Sequence, residues 1–286
     1  MQDLKGGKPA SVVITGASTG IGRACALYMD RLGWQVFAGV RRDADGQALR
    51  AAASSRLVPV PLDVTDAGSI REAARLVREA VGAAGLSGLV NNAGIPYGGP
   101  VEFLDLAELR RLFDVNFFGV IAVTQAFLPL LRTARGRIVN MSSVSGLVAS
   151  PFVSPYSTSK FAMESLSDSL RVELHPWGMH VAVVEPGAIR TPIWDKAHGV
   201  LSELIQAAPK DGLELYGGAI SGMQGSFVNH GIPPEAVARA VAHALTSSRP
   251  KTRYPIGIDG AVVRLVRRLP DRLRDWLFLS RMPKWG

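Results

Sequence analysis

Tyr156 and Lys160 stand four positions apart at the start of a segment with helical spacing, expected over Tyr156–His175. On an α-helix that separation puts both side chains on one face. A phenol of pKa about 10 is a poor base at neutral pH, and a nearby ammonium stabilises the phenolate and lowers that value. The pair therefore reads as proton-transfer chemistry, with Tyr156 as donor and acceptor. Ser143 lies just beyond a strand expected over Arg137–Ser142, where its hydroxyl could hold a substrate oxygen against Tyr156. Ser142 and Ser145 compete for that role, and any of the three could instead cap a turn. Asn116 falls inside a helix expected over Leu106–Arg132, a poor place for asparagine on propensity grounds, which points to a structural or water-holding job.

A second constellation lies near the start of the chain. Gly16, Gly20 and Gly22 are spaced G-x-x-x-G-x-G between an apolar strand, Ser11–Thr15, and a helix expected over Gly20–Leu32. Glycines here permit a tight turn, close approach of backbone to a pyrophosphate, and close packing of helix on strand, while the helix N-terminus offers free amides and the positive end of its dipole. Strand, glycine loop and helix in that order point to a bound dinucleotide. The next strand ends at Val40 and is followed by Arg41 and Arg42, with no carboxylate to hold a ribose 2′-hydroxyl. A guanidinium suits a 2′-phosphate, so NADP(H) is expected, with NAD(H) as the alternative.

The elements that must position these residues alternate between short apolar runs and longer helical ones. Strands are expected at Ser11–Thr15, Gln35–Val40, Leu57–Leu62, Leu86–Val90, Arg137–Ser142, His180–Glu185 and Arg253–Ile258. Between them lie helices at Gly20–Leu32, Ala44–Ala53, Ala67–Val81 with Asp66 as its cap, Leu106–Arg132, Tyr156–His175 and Glu235–Leu245. Doubly apolar strands alternating with helices imply an α/β fold, a Rossmann-type doubly wound parallel sheet of about seven strands with helices on both faces. No linker divides the chain, so one domain is expected. The long connection Arg190–Ile232, which carries Trp194, Leu201, Leu204, Leu215, Tyr216, Met223 and Phe227, reads as a substrate lid.

The totals exclude several alternatives. One cysteine, Cys25, permits no disulfide within the chain and fits a reducing, cytoplasmic setting. Met1–Pro9 lacks the apolar core of a signal peptide, and Phe117–Leu131 is interrupted and short for a bilayer span, so a soluble protein is expected. The net charge is +8, but ten Lys/Arg against three Asp/Glu lie beyond residue 248, leaving a nearly neutral body. That distribution argues against a nucleic-acid partner. The charged tail, Ala261–Trp285, is basic and amphipathic. Such a segment can lie on a membrane surface, but the preferred expectation is that it folds back against the core, the substrate pocket or another subunit.

Taken in order, these residues resemble the short-chain dehydrogenase/reductase family in its ordinary single-domain branch. The matching positions are Thr15–Gly22, Asp63 after the third strand, Asn91–Gly94 after the fourth, Asn116, Ser143, Tyr156 with Lys160, and Pro186-Gly187 leading to Thr191. They cover about residues 10–260. The resemblance implies that Tyr156 transfers the proton, that Lys160 lowers its pKa and binds the nicotinamide ribose, and that Ser143 orients the substrate oxygen. It also implies that Asn116 holds a water in a relay through Lys160. The cofactor would lie along Gly16, Ser18, Thr19, Gly20, Ile21 and Gly22, with Arg41 near its 2′ position and Asp63 and Val64 near the adenine. Asn92, Ala93, Gly94, Pro186, Gly187, Ile189 and Thr191 would line the rest of the cleft. Thr19 departs from the pattern of NADP-preferring members, which often carry a basic residue there. Members of the family are usually dimers or tetramers, so a homo-oligomer is expected.

Val115–Gly119, Phe127–Leu131 and Ser154–Phe161 resemble the retinol, hydroxysteroid and 3-hydroxybutyrate dehydrogenase group within that family. With the apolar lid, this favours a hydrophobic alcohol or carbonyl substrate, steroid-, retinoid- or lipid-like. A small hydroxy acid would need a cationic clamp, for which Arg190 is the candidate. A redox sensor that binds NADP(H) without turnover is a further alternative, although loss of Tyr156 or Lys160 would have been its signal.

Overall fold

The computed structural model describes residues 10–207, 215–218, 231–257, 262–263 and 265–280. Seven strands form one parallel sheet: β1 Ser11–Ile14, β2 Gln35–Val40, β3 Leu57–Pro61, β4 Gly88–Asn91, β5 Arg137–Met141, β6 His180–Pro186 and β7 Arg253–Ile256. Their order across the sheet is β3-β2-β1-β4-β5-β6-β7. The order reverses between β1 and β4, and a doubly wound sheet opens a crevice at the carboxyl ends of such a pair. Apart from Pro186 at the very end of β6, the prolines within strands lie on the outermost two. Pro59 and Pro61 lie in β3 and Pro255 in β7, the two edges, where a missing backbone donor costs least.

Successive residues of each strand serve opposite faces, and both faces are covered. On one, Val12, Ile14, Val36, Ala38 and Val184 pack with α1 (Gly20–Arg31) and with Val237, Ala238 and Val241 of a late helix, Pro234–Thr246. On the other, Val13, Phe37, Leu89, Ile138 and Val181 meet α3 (Ala67–Val81) and the apolar side of α5 (Gly119–Ala134). Asp66 caps α3 as expected, its carboxylate accepting from the Ser69 amide at 2.8 Å. The remaining helices are α2 (Asp43–Ala51), α4 (Leu106–Phe113), α6 (Ser154–Glu173), α7 (Ile193–Ala207), α8 (the Pro234–Thr246 helix) and α9 (Asp271–Leu279).

Three differences from the sequence reading bear on the site. The helix expected over Leu106–Arg132 is broken by a π turn at Asp114–Phe118, and Asn116 is buried within it. The combined run Leu106–Ala134 is 29 residues long, so Phe117–Leu131 belongs to a helix long and apolar enough, by length and composition, to cross a bilayer. It lies instead along the sheet, with Val123, Phe127 and Leu131 wholly buried. The expected lid begins with α7, and its two ends are joined by a parallel bridge between Ile189 and Ile232. Met223 and Phe227 of that segment, Ile258 of the last expected strand, and Met1–Pro9 lie outside the described residues.

The tail also differs. None of its described residues is buried, and Leu265, Trp276 and Leu279 are exposed, so this part neither completes the core nor walls either cavity of the site.

Candidate active site

The crevice at the carboxyl edge holds a cleft of about 460 Å³, with a smaller cavity of about 240 Å³ beside it. The glycine loop forms the cleft's floor. Gly16 has φ of 64°, a left-handed conformation that a side chain disfavours, and a Cβ there would lie 2.9 Å from Ala93 Cα. At Gly22 a Cβ would collide with the Gly16 carbonyl oxygen and the Asn92 amide, so α1 can start this close to β1 only with glycine. Thr19 precedes α1 without a side-chain cap, and no acidic residue stands in the first turn. The helix thus presents uncapped amides and its positive dipole end to the cleft, the environment a diphosphate needs.

Asn92 braces this floor. Its side chain donates to the carbonyls of Thr15 at 2.9 Å and Gly16 at 3.1 Å, while the Thr15 hydroxyl accepts from the amides of Asn92 and Ala93. At the other end Asp63 accepts from the Thr65 amide and hydroxyl at 2.9 and 2.7 Å. Partial burial would raise its carboxyl, but those bonds and the Arg41 charge outweigh that and hold it below the usual range. The two arginines after β2 part company. Arg42 is engaged by Asp45 through paired bonds of 2.9 and 2.8 Å, whereas Arg41 lines the cleft. Every residue assigned to the cofactor from the sequence lines this cleft: Gly16, Ser18, Thr19, Gly20, Ile21, Gly22, Arg41, Asp63, Val64, Asn92, Ala93, Gly94, Tyr156, Lys160, Pro186, Gly187, Ile189 and Thr191. Arg111 and Lys196 line it too. Sequence reasoning missed them because each is a single cation on a helix, and nothing in the local pattern says that its face meets the cleft.

Tyr156 and Ser143 occupy the wall shared by the two cavities. Pro155 at the start of α6 pre-sets the backbone that carries Tyr156 in the first turn. Ser143 caps a turn, one of the two roles weighed for it, and stands beside Tyr156 in the shared wall. Its hydroxyl caps the short turn Val144–Gly146 by accepting from Ser145 N at 3.1 Å and donates to Pro186 O at 3.4 Å, and it lies near enough to the Tyr156 phenol to favour its charged form. Of its competitors, Ser145 lines only the smaller cavity, and Ser142 lines the cleft but has its hydroxyl buried beside Gly146 and Glu164. Asn116 does not line the cleft. From the π turn it clamps the strand-end loop, accepting from Ile95 N at 2.9 Å and donating to Ile95 O and Ser159 Oγ, both at 3.1 Å.

One electrostatic expectation is corrected. Tyr156 keeps some solvent contact, but its surroundings are crowded enough that burial pushes the phenol up to about 12, with only the Ser143 hydroxyl opposing. Lys160 is buried and donates to Met141 O at 2.9 Å; burial brings it down to about 8, opposed by the Glu164 charge. The ammonium therefore does not lower the phenol in the chain as it stands, because desolvation, which acts against both charges, dominates. At neutral pH Tyr156 is a phenol holding its proton and Lys160 a cation.

The smaller cavity is walled by Tyr97, Val144, Phe152, Val153, Ile193, Trp194, Ala197 and Val200, and among the described residues no charged side chain lines it. Arg190 is exposed and lines neither cavity. Phe152 has φ of 62°, and its carbonyl accepts from Gly99 N at 2.6 Å, which ties the two loops at the cavity mouth together. Trp194 is anchored by its indole N–H on Ile189 O at 2.7 Å.

Comparison with known proteins agrees with this geometry. The family described as short chain dehydrogenase matches residues 10–199. Retinol dehydrogenase 5 of Mus musculus is 38% identical over 285 residues, covering 96% of this chain and 89% of its own length. The 17-beta-hydroxysteroid dehydrogenase type 6 of Bos taurus is 38% identical over 282 residues, with the same coverage of 96% and 89%. Among solved structures, a short-chain dehydrogenase from Streptomyces avermitilis superposes with a TM-score of 0.78 at 31% identity, covering 96% of this chain and 98% of its own.

Proposed function

The chain belongs to the short-chain dehydrogenase family, and from that premise we propose that it interconverts a hydrophobic alcohol and its carbonyl compound with NADP(H), Tyr156 carrying the proton. As a member it is an oxidoreductase acting on CH–OH groups with a nicotinamide cofactor. The observation that carries the finer reading is the shared wall: Tyr156 and Ser143 face a cofactor-sized cleft on one side and a charge-free cavity on the other.

The residues of the cleft fit a dinucleotide. The uncapped start of α1 would hold the diphosphate, Asp63 and Val64 the adenine end, and Lys160 the nicotinamide ribose. A bound nicotinamide supplies hydride to the carbonyl carbon in reduction and takes it up in oxidation. In reduction the Ser143 hydroxyl donates to the carbonyl oxygen and stabilises its developing charge, while the Tyr156 phenol gives that oxygen its proton. In oxidation the alcohol oxygen gives its proton to the Tyr156 phenolate, and Lys160 offsets the negative charge on the Tyr156 oxygen for as long as that oxygen lacks its proton. Asn116 positions the Ile95 backbone at the rim and, through Ser159, the helix that holds Tyr156 and Lys160. The preference for NADP(H) rests on Arg41, whose guanidinium is not engaged by Asp45 as that of Arg42 is.

A hydrophobic substrate is favoured by the uncharged lining of the smaller cavity, and the retinol and hydroxysteroid dehydrogenases named above support that class. A small hydroxy acid loses its candidate clamp, since Arg190 lies away from both cavities. The test is an absorbance screen with NADPH and NADH over steroid, retinoid and aliphatic ketones and aldehydes, their alcohols, and short hydroxy acids. Turnover of the apolar compounds with NADPH preferred supports the reading. Turnover confined to hydroxy acids, or stoichiometric cofactor binding with no turnover, contradicts it.

A further inference from the structure

Tyr156, Lys160, Glu164 and Asp168 recur every fourth residue along α6, so the proton-carrying pair is the upper half of a stripe of ionisable groups. The lower half is tied to the sheet by one arginine. Arg253 of β7 donates through Nη1 to Glu164 Oε2 and to Glu185 Oε1 of β6, the latter at 2.9 Å. Through Nη2 it reaches both oxygens of Asp168, at 2.8 and 2.9 Å. Glu164 and Glu185 are buried, and Asp168 is partly exposed and shared with Arg171. Three carboxylates thus face two arginines. Next along the stripe is the buried Lys160, and its charge brings the cluster to neutrality.

We infer that Glu164, fixed by Arg253 against Glu185, is a positioning residue that keeps Lys160 charged beneath the Tyr156 phenol. A buried ammonium with no counter-charge is expensive and tends to lose its proton. Lys160 donates to the Met141 carbonyl, which supplies only a dipole. Glu164 supplies the ion one helical turn away, and its Coulomb effect on Lys160 is favourable to the charged form. Its second oxygen, Oε1, is buried and makes no well-formed hydrogen bond, with the Ser142 hydroxyl as its polar neighbour.

The other elements packed against α6 offer no substitute. The turn Val144–Gly146 brings no ionisable group. From α4, Glu108 and Arg111 pair with each other at the surface, and Asp114 of the π turn is exposed. On the far side, Tyr254 of β7 is bonded to His243, and His175 lies beyond the end of α6. Burial and the Glu185 charge raise Glu164; the Ser142 hydroxyl and Arg253 oppose them, and the carboxyl stays above its ordinary value. Without Arg253 the carboxyl would take up a proton and the lysine would lose its ion. That arrangement explains why an arginine on the edge strand is aimed at the back of the site.

The inference deepens the proposed role of Lys160, but its test needs no turnover. Glu164→Gln and Lys160→Met are made singly and together, and urea unfolding of the cofactor-free chain is followed from pH 7 to pH 10. An opposite charge one turn away on the same helix face can move a pKa by about one unit, so the folded-to-unfolded ratios should depart from additivity by ~tenfold at pH 7. The departure should shrink as Lys160 gives up its proton towards pH 10, and Glu164→Asp should retain most of it. Should Glu164→Gln alone fail to fold, adding Lys160→Met is expected to restore folding, because it removes the unpaired cation. Additive single variants at pH 7, or a double variant no better than Glu164→Gln, overturn the inference. Kinetics give a second readout. In a chain that turns over an alcohol from the screen, Glu164→Gln should move the alkaline limb of kcat down by roughly one pH unit. A uniform fall in kcat at unchanged pH profile marks a merely structural residue and overturns it as well. Failure of Tyr156 to matter for turnover would instead sink the proposed function and leave the stability cycle untouched.

Discussion

The Lys160 ammonium lies 5.5 Å from the centroid of the Tyr156 ring. That separation is short enough for the two charges to feel each other, yet burial moves both groups towards their neutral forms, Tyr156 up to about 12 and Lys160 down to about 8. The site therefore holds a protonated donor and a cation close to its titration point.

Stability should record the second fact. A group whose pKa is lowered by folding adds stability as pH rises, because the unfolded chain then binds the extra proton. For Lys160 the window runs from about 8 to its ordinary value of 10.5. Lys160→Met removes this titration without removing the stem. Its advantage in unfolding free energy over the unmodified chain should be largest below pH 8 and fall steadily to pH 10.5, by up to roughly 3 kcal/mol. A pH-independent difference would mean that the lysine is not desolvated.

Cofactor choice should respond to one arginine and not its neighbour. Arg41→Ala is expected to raise KM for NADPH by about tenfold or more relative to NADH, the loss of a charge-assisted contact of roughly 1.5–3 kcal/mol. Arg42→Ala, which breaks only the surface pair with Asp45, should change the ratio little. Equal effects of the two substitutions would remove the basis for preferring NADP(H).

The floor of the cleft should tolerate no side chain at Gly22. Gly22→Ala places a methyl against the Gly16 carbonyl and the Asn92 amide. The expected cost is about 2–4 kcal/mol in urea unfolding together with loss of cofactor binding, since the loop must open to make room. Wild-type binding in a stable Gly22→Ala chain would show that the loop is looser than described.

Arg190→Ala should leave kcat/KM on an apolar alcohol within about twofold, as for a surface change away from the site. A loss of an order of magnitude would show that Arg190 acts at the site and reopen the hydroxy-acid reading.

Much of this was legible before any coordinates. Runs such as Val12–Ile14 and Val181–Val184 are apolar without alternation, which only a sheet covered on both faces requires, and the glycine loop announces its role by standing between strand and helix. The π turn was not legible, because one extra residue per turn leaves the apolar pattern of Leu106–Ala134 almost unchanged. Asn116 was a clue to it, an asparagine where a regular helix has little use for one. The Glu164–Arg253 contact spans 89 positions, and no local pattern carries a pairing of that range. The phenol was misjudged for a related reason: spacing places an ammonium near Tyr156 but says nothing about how much water both groups lose.

The most direct test of the account is kcat for Tyr156→Phe, beside its affinity for NADPH. Removal of the proton carrier should lower kcat by at least ~100-fold while cofactor affinity stays within a few-fold. Turnover at the wild-type rate in a folded, cofactor-binding Tyr156→Phe chain would contradict the account.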